Sequence, residues 1–146
     1  MTFDLNIRFM KKLYPILLSG ILLVSCKKFI QRQEQKQVIQ DVTNGLWYVT
    51  DYEQNDSNIT AAFSGYVFKF DANNTVTGIL GTDSTHGSWI VDVNAKTIAS
   101  NFPAAGYPLD QLNETWLILD SYTDSVSAKA TDTVNHTVNY LQLRKQ

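Results

Sequence analysis

Cysteine occurs once in these 146 residues, histidine twice and proline three times. A single thiol excludes the intrachain disulfides that staple small secreted domains. Two histidines and one cysteine cannot make a rich metal site. Charged residues make up 18% of the chain and the formal net charge is -2, so the basic face that binds a polyanion is missing. No apolar run reaches the roughly 20 residues a membrane-spanning helix requires. The signature of a disordered chain is missing too, because 44% of the residues are hydrophobic and 12% aromatic. What remains is length for one domain and composition for a packed core.

The first feature present is an apolar run, Leu13 to Val24, preceded by Lys11 and Lys12. A basic pair, a short apolar stretch and then small residues describe a secretory signal. The stretch ends Leu23-Val24-Ser25-Cys26, which resembles the lipobox of bacterial lipoproteins. That resemblance implies that residues 1–25 are removed, that the Cys26 thiol carries a diacylglyceryl group and that the new amino terminus is acylated. Two or more acyl chains anchor stably where one does not. The implied location is the cell envelope, at the outer membrane, with the membrane as partner through the anchor. Met10-Lys11-Lys12 is a better signal start than Met1, because Thr2 to Phe9 place Asp4 in a region that is usually short and basic. Removing residues 1–25 takes away three basic residues (Arg8, Lys11, Lys12) and one acid (Asp4), leaving 9 basic and 13 acidic residues, net -4. An acidic domain on a basic stalk (Lys27, Lys28, Arg32, Lys36) argues against nucleic acid as a partner.

Residues 26–44 read as the lipidated cysteine and a polar, Gln-rich tether, helical from about Lys28 to Asp41. From Gly45 onward, eight β-type runs alternate with turn residues: Leu46–Glu53, Gly65–Phe70, Thr75–Gly81, Gly87–Asp92, Lys96–Asn101, Thr115–Tyr122, Ser125–Thr131 and Thr137–Arg144. The separators are rich in Asn, Asp, Ser and Thr, whose side chains bond the local backbone; they include Asp71–Asn74, Thr82–Thr85 and Asp132–Asn135. Only Asn101–Glu114 is long enough for a crossing connection. A two-sheet sandwich needs longer connections, so the pattern predicts, in preference to it, an all-β domain over 45–146 folded as an eight-stranded antiparallel up-and-down barrel. Period-two pairs (Trp47 with Val49; Tyr66, Phe68 and Phe70; Trp89 with Val91; Leu141 with Leu143) mark inward faces. The run Trp116-Leu117-Ile118-Leu119 is apolar on both faces, and calls for a cover from the tether or from the Asn101–Asn113 loop.

Gly45-Leu46-Trp47 is similar to the G-x-W signature that opens lipocalins. With Phe70–Val76, Gly87-Ser88-Trp89, Leu112–Trp116 and Tyr140–Lys145, the ordered set behind a lipobox resembles the small lipocalin-like lipoproteins of Bacteroidota. The resemblance implies that Trp47 closes the barrel floor and that Arg144, late in the last strand, packs across it as a cation–π contact. It also implies a binding module rather than an enzyme. Residues expected to line a ligand site are Trp47, Val49, Tyr66, Phe68, Trp89, Trp116 and Tyr107, although the aromatic residues read more readily as core, and both readings can hold at opposite ends. The apolar loop Phe102–Pro108 reads as a lid over the open end or as a plug folded into it.

Other motifs carry less. Asp51–Asp56 begins like a calcium loop but has no glycine at the sixth place, and Ala62 stands where a bidentate glutamate belongs. His86 and His136 fall at expected turns without partners at ligand spacing, and Ser64-Gly65 and Ser88 lack nucleophile-elbow context. No metal, cofactor or catalytic set is expected. Two functions remain: capture of a small apolar or amphipathic molecule in the barrel mouth, or a packed barrel that binds an envelope protein or glycan through its loops.

Overall fold

A computed structural model describes residues 14–146 of the chain, with side chains at Lys28 and from Ile30 onward. The choice between Met1 and Met10 as the start falls outside the described residues. One helix, α1 (Tyr14–Thr43), precedes the sheet. It is longer at its N-terminal end than the Lys28–Asp41 tether expected. No described helix is long and apolar enough to cross a membrane. The chain divides after Glu34 into two units, and the second, Gln35–Gln146, holds every strand and the whole core.

Nine strands follow: β1 (Leu46–Gln54), β2 (Ser57–Asn58), β3 (Tyr66–Phe70), β4 (Thr75–Leu80), β5 (Asp83–Asp92), β6 (Thr97–Asn101), β7 (Thr115–Ser121), β8 (Ser125–Asp132) and β9 (Thr137–Lys145). Two short 3-10 turns, Thr60–Phe63 and Leu109–Leu112, interrupt them. Apart from β2, a two-residue flap on the end of β1, each strand pairs antiparallel with the next, and β9 returns to β1. The closing seam runs from Trp47 opposite Lys145 to Gln54 opposite Asn139. The result is the closed eight-stranded up-and-down barrel that the turn spacing predicts, and it leaves no long free sheet edge.

One hairpin differs from its sequence reading. Composition marks Thr82–Thr85 as a turn, yet Asp83 already pairs with Leu80 in the β4–β5 ladder. Gly81 alone supplies the required left-handed conformation, with φ +60. A two-residue Gly-X loop matches strand twist, so the polar residues behind it extend β5 instead of lengthening the turn. His86 consequently lies in a strand, where its Nδ1 is 3.1 Å from Thr77 Oγ1.

The core fills the barrel from end to end. At the tether end, Val42 is buried, with Val38 and Ile39 packed beside it. These three positions, spaced i, i+1 and i+4, share one helix face, so the last turns of α1 belong to the barrel unit. The Trp47 indole donates to the Val42 carbonyl at 2.8 Å, satisfying one of the acceptors a helix end leaves open. At the other end, Phe63, Phe102, Leu109 and Leu112 are buried. The Phe102–Asn113 loop is therefore a plug. It does not cover the outside of β7, where Leu117 and Leu119 stay exposed.

Candidate functional site

The barrel interior is where a lipocalin-like resemblance places a ligand. Strand alternation aims Trp47 (β1), Phe68 (β3) and Trp116 (β7) inward, and all three are buried. They line a cavity of about 60 Å³ with Phe70, Val76, Phe102 and Leu141. Ser100 is the one hydroxyl residue of that lining, and its hydroxyl donates to the Leu112 carbonyl. Sites for drug-sized ligands run to roughly 300–1,000 Å³, so the space left inside accommodates only a few atoms.

The other expected lining residues lie elsewhere. Val49 is buried in the core but does not reach the cavity. Tyr66 is half-buried, stacked on Phe68 at 6.1 Å. Trp89 packs edge-on to Phe70 at 5.5 Å and donates to the Asp71 carbonyl at 3.0 Å, which makes it part of the tether-end closure. Tyr107 is 63% exposed: the plug buries Phe102 and Leu109 on either side of it, and Tyr107 faces water between them. Cys26 falls within α1, and its side chain lies outside the described residues.

The cation over Trp47 is Lys145, with Nζ 5.0 Å from the ring centroid, and not Arg144. Register decides this. Lys145 pairs directly with Trp47 and shares its face, whereas Arg144 pairs with Tyr48 and points to the opposite one.

Sequence reasoning missed the most buried residue. Tyr52 has no exposed surface. It stacks on Phe63 at 5.3 Å, meets Trp116 edge-on at 5.8 Å and donates to the Gln111 carbonyl at 2.6 Å. Strict alternation from Trp47 and Val49 points Asp51 inward. A β-bulge between Val49 and Asp51 shifts the phase by one residue, so Thr50 and Asp51 both face out and Tyr52 faces in. Burial pushes the Tyr52 phenol far above its usual range, reinforced by Glu114 and Asp110. Glu114 is raised too, by partial burial first and by Asp132 second. Gln54 donates to Gln111 at 2.7 Å in the same region. This polar rim holds the plug to β1.

Asp51 caps the β1–β2 corner, accepting from Asn58 at 2.8 Å and from Thr60 at 3.3 Å. Among the described residues, no three His, Cys, Asp or Glu side chains converge closely enough to hold a metal ion.

Comparison with known proteins adds a likeness of fold. A DUF4847 family protein from Bacteroides vulgatus, known from its crystal structure, superposes with a TM-score of 0.52 at 18% identity, covering 75% of this chain and 99% of that one. At that identity the likeness is one of fold alone. No family model matches the chain, and no curated protein matches it. The barrel architecture is thus shared with a protein of a Bacteroides species, and the chemistry has to be read from this chain's own surface and interior.

Proposed function

We propose that this protein is a lipid-anchored, non-catalytic barrel of the bacterial cell envelope that binds an envelope protein or glycan through its outer surface and loops. The observation that carries this reading is the filled interior. Val42 and Trp47 close one end, Phe63, Phe102, Leu109 and Leu112 close the other, and about 60 Å³ remains between them. A fatty acid or comparable guest would have to displace the plug, together with the Tyr52–Gln111 hydrogen bond that pins it. Eight-stranded barrels of this size either hold one small ligand or fill themselves with side chains, and this one is filled. The anchor rests on Cys26 and its similarity to a lipobox cysteine, and it would place the barrel at the membrane surface with its partner.

Two experiments test the two halves. Labelling cells with palmitate should mark the wild-type protein and not Cys26→Ser; label retained in the variant overturns the anchor. Titrating the soluble fragment Lys27–Gln146, which contains the complete barrel unit, with a fluorescent fatty acid should give no saturable change in Trp fluorescence. Saturable stoichiometric binding restores capture of a small apolar molecule as the function.

A further inference from the structure

Two β-bulges fall at the same height on the outside of the barrel, one on each side of the β8–β9 hairpin. In β1 the register slips between Val49 and Asp51, opposite Leu143 and Gln142. In β7 it slips between Ile118 and Asp120, opposite Ala128 and Ser127. Ser127 pairs with Gln142, so both irregularities lie on one cross-strand row, Asp51–Gln142–Ser127–Asp120. A bulge bends its strand and re-aims side chains, and bulges are over-represented beside functional sites. Between the two bent strands the hairpin's outer face carries a trough of about 370 Å³, within the size range of small-molecule sites. Thr50 comes from one bulge and Asp120 from the other, Gln142 and Ser127 form the floor, and Arg144 and Tyr122 lie toward one end.

The side chains in this trough constrain what fits. Among the described residues the one ion pair joins Lys69 to Asp71, so the Arg144 guanidinium has no carboxylate partner. Tyr122 is 65% exposed. The Asp120 carboxylate nearby raises its phenol above the usual pKa. An anion drawn to Arg144 meets Asp120, and a cation drawn to Asp120 meets Arg144. An apolar ligand would leave carboxylate, guanidinium, amide and hydroxyl groups without partners, which is costly. A neutral ligand with adjacent hydroxyls, each a donor and an acceptor, satisfies both charged groups at once. One apolar ring face would use the exposed aromatic.

The geometry points to a carbohydrate-binding site: a neutral pyranose unit with its hydroxyls shared among Asp120, Gln142 and Arg144 and its ring face against Tyr122. This deepens the surface-binding reading above and rests on it, by naming the face and the ligand class.

The test is a nuclear magnetic resonance titration of Lys27–Gln146 with maltotriose, mannotriose, chitotriose and, separately, inorganic phosphate. At least one trisaccharide should cause saturable shifts confined to amides around Thr50, Asp120–Tyr122, Ser125–Ser127 and Gln142–Arg144. Arg144→Ala and Asp120→Asn should each weaken that binding about tenfold, as expected for losing one charge-assisted hydrogen bond, with the spectrum otherwise unchanged. Absence of shifts with all three sugars overturns the proposal, as do shifts mapping elsewhere. Phosphate binding that strengthens in Asp120→Asn also overturns it, because that marks an anion site. A negative result here alongside no fatty-acid binding removes the carbohydrate assignment and leaves the surface reading standing; saturable fatty-acid binding removes the surface reading itself.

Discussion

Lys145 lies directly across the β1–β9 seam from Trp47, its ammonium 5.0 Å from the centroid of the indole. The seam is where a linear meander becomes a closed barrel, so the contact joins the first and last strands at the tether end. Truncating Lys145 to Ala should cost about 0.5–2 kcal/mol. Arg144→Ala, on the outer face one residue away, should stay within about 0.5 kcal/mol. Urea unfolding of the two variants checks this, and equal losses would contradict the register argument.

The plug makes a second prediction through Tyr52. Replacing it with Phe keeps the stacking on Phe63 and removes the hydroxyl that holds the Gln111 carbonyl. The expected loss is about 1–2 kcal/mol. The raised phenol pKa adds a pH signature. A group whose pKa is higher folded than unfolded favours the folded state until the unfolded form ionises, so wild-type stability should fall progressively as pH rises above 10.0. Tyr52→Phe should lack that component of the slope in thermal melts at alkaline pH.

Glu114 gives the acid-side counterpart. Its pKa is raised above 4.5 by partial burial and then by Asp132, so the folded state favours the protonated carboxyl and tolerates the ionised one less well. Stability attached to this group is complete below pH 4.5 and is lost as pH rises through the folded pKa. Glu114→Gln should therefore melt higher than wild type at neutral pH, with the difference vanishing in acid. A difference that grows in acid would reverse the assignment.

Gly87 marks where the plug crosses the wall. A Cβ added there would sit 2.5 Å from the Asn101 carbonyl oxygen and 2.8 Å from the Phe102 ring. The backbone oxygen cannot yield cheaply, so Gly87→Ala should cost about 1–3 kcal/mol through overpacking. Calorimetric melting checks this. A neutral outcome would mean that the loop is not seated as described.

Much of this architecture was legible from residue order. The Asn/Asp-rich separators located all eight barrel strands, and the period-two aromatics placed Trp47 and Phe68 inside, whereas the run Trp116–Leu119, apolar on both faces, carried no register of its own. What misled was any rule that counts residues without phase. The bulge at Thr50 reversed the faces from Asp51 onward and hid Tyr52. The step of one residue between Arg144 and Lys145 exchanged the cation over Trp47. Composition alone also made Thr82–Thr85 look like a turn, although Gly81 had already supplied the reversal. The apolar loop Phe102–Pro108 announced burial but not its direction. Its neighbours Leu109 and Leu112, on a single 3-10 turn, carry it into the barrel. The surface trough was invisible because its residues come from four strands, β1, β7, β8 and β9, and are mostly ordinary polar types, brought together beside two aligned register slips.

The barrel interior belongs to the protein's own side chains. Native mass spectrometry of the protein purified from cells in mild detergent tests this most directly. The expected mass is that of the covalent polypeptide with no noncovalent passenger. A lipid-sized adduct that departs only on collisional activation would contradict it.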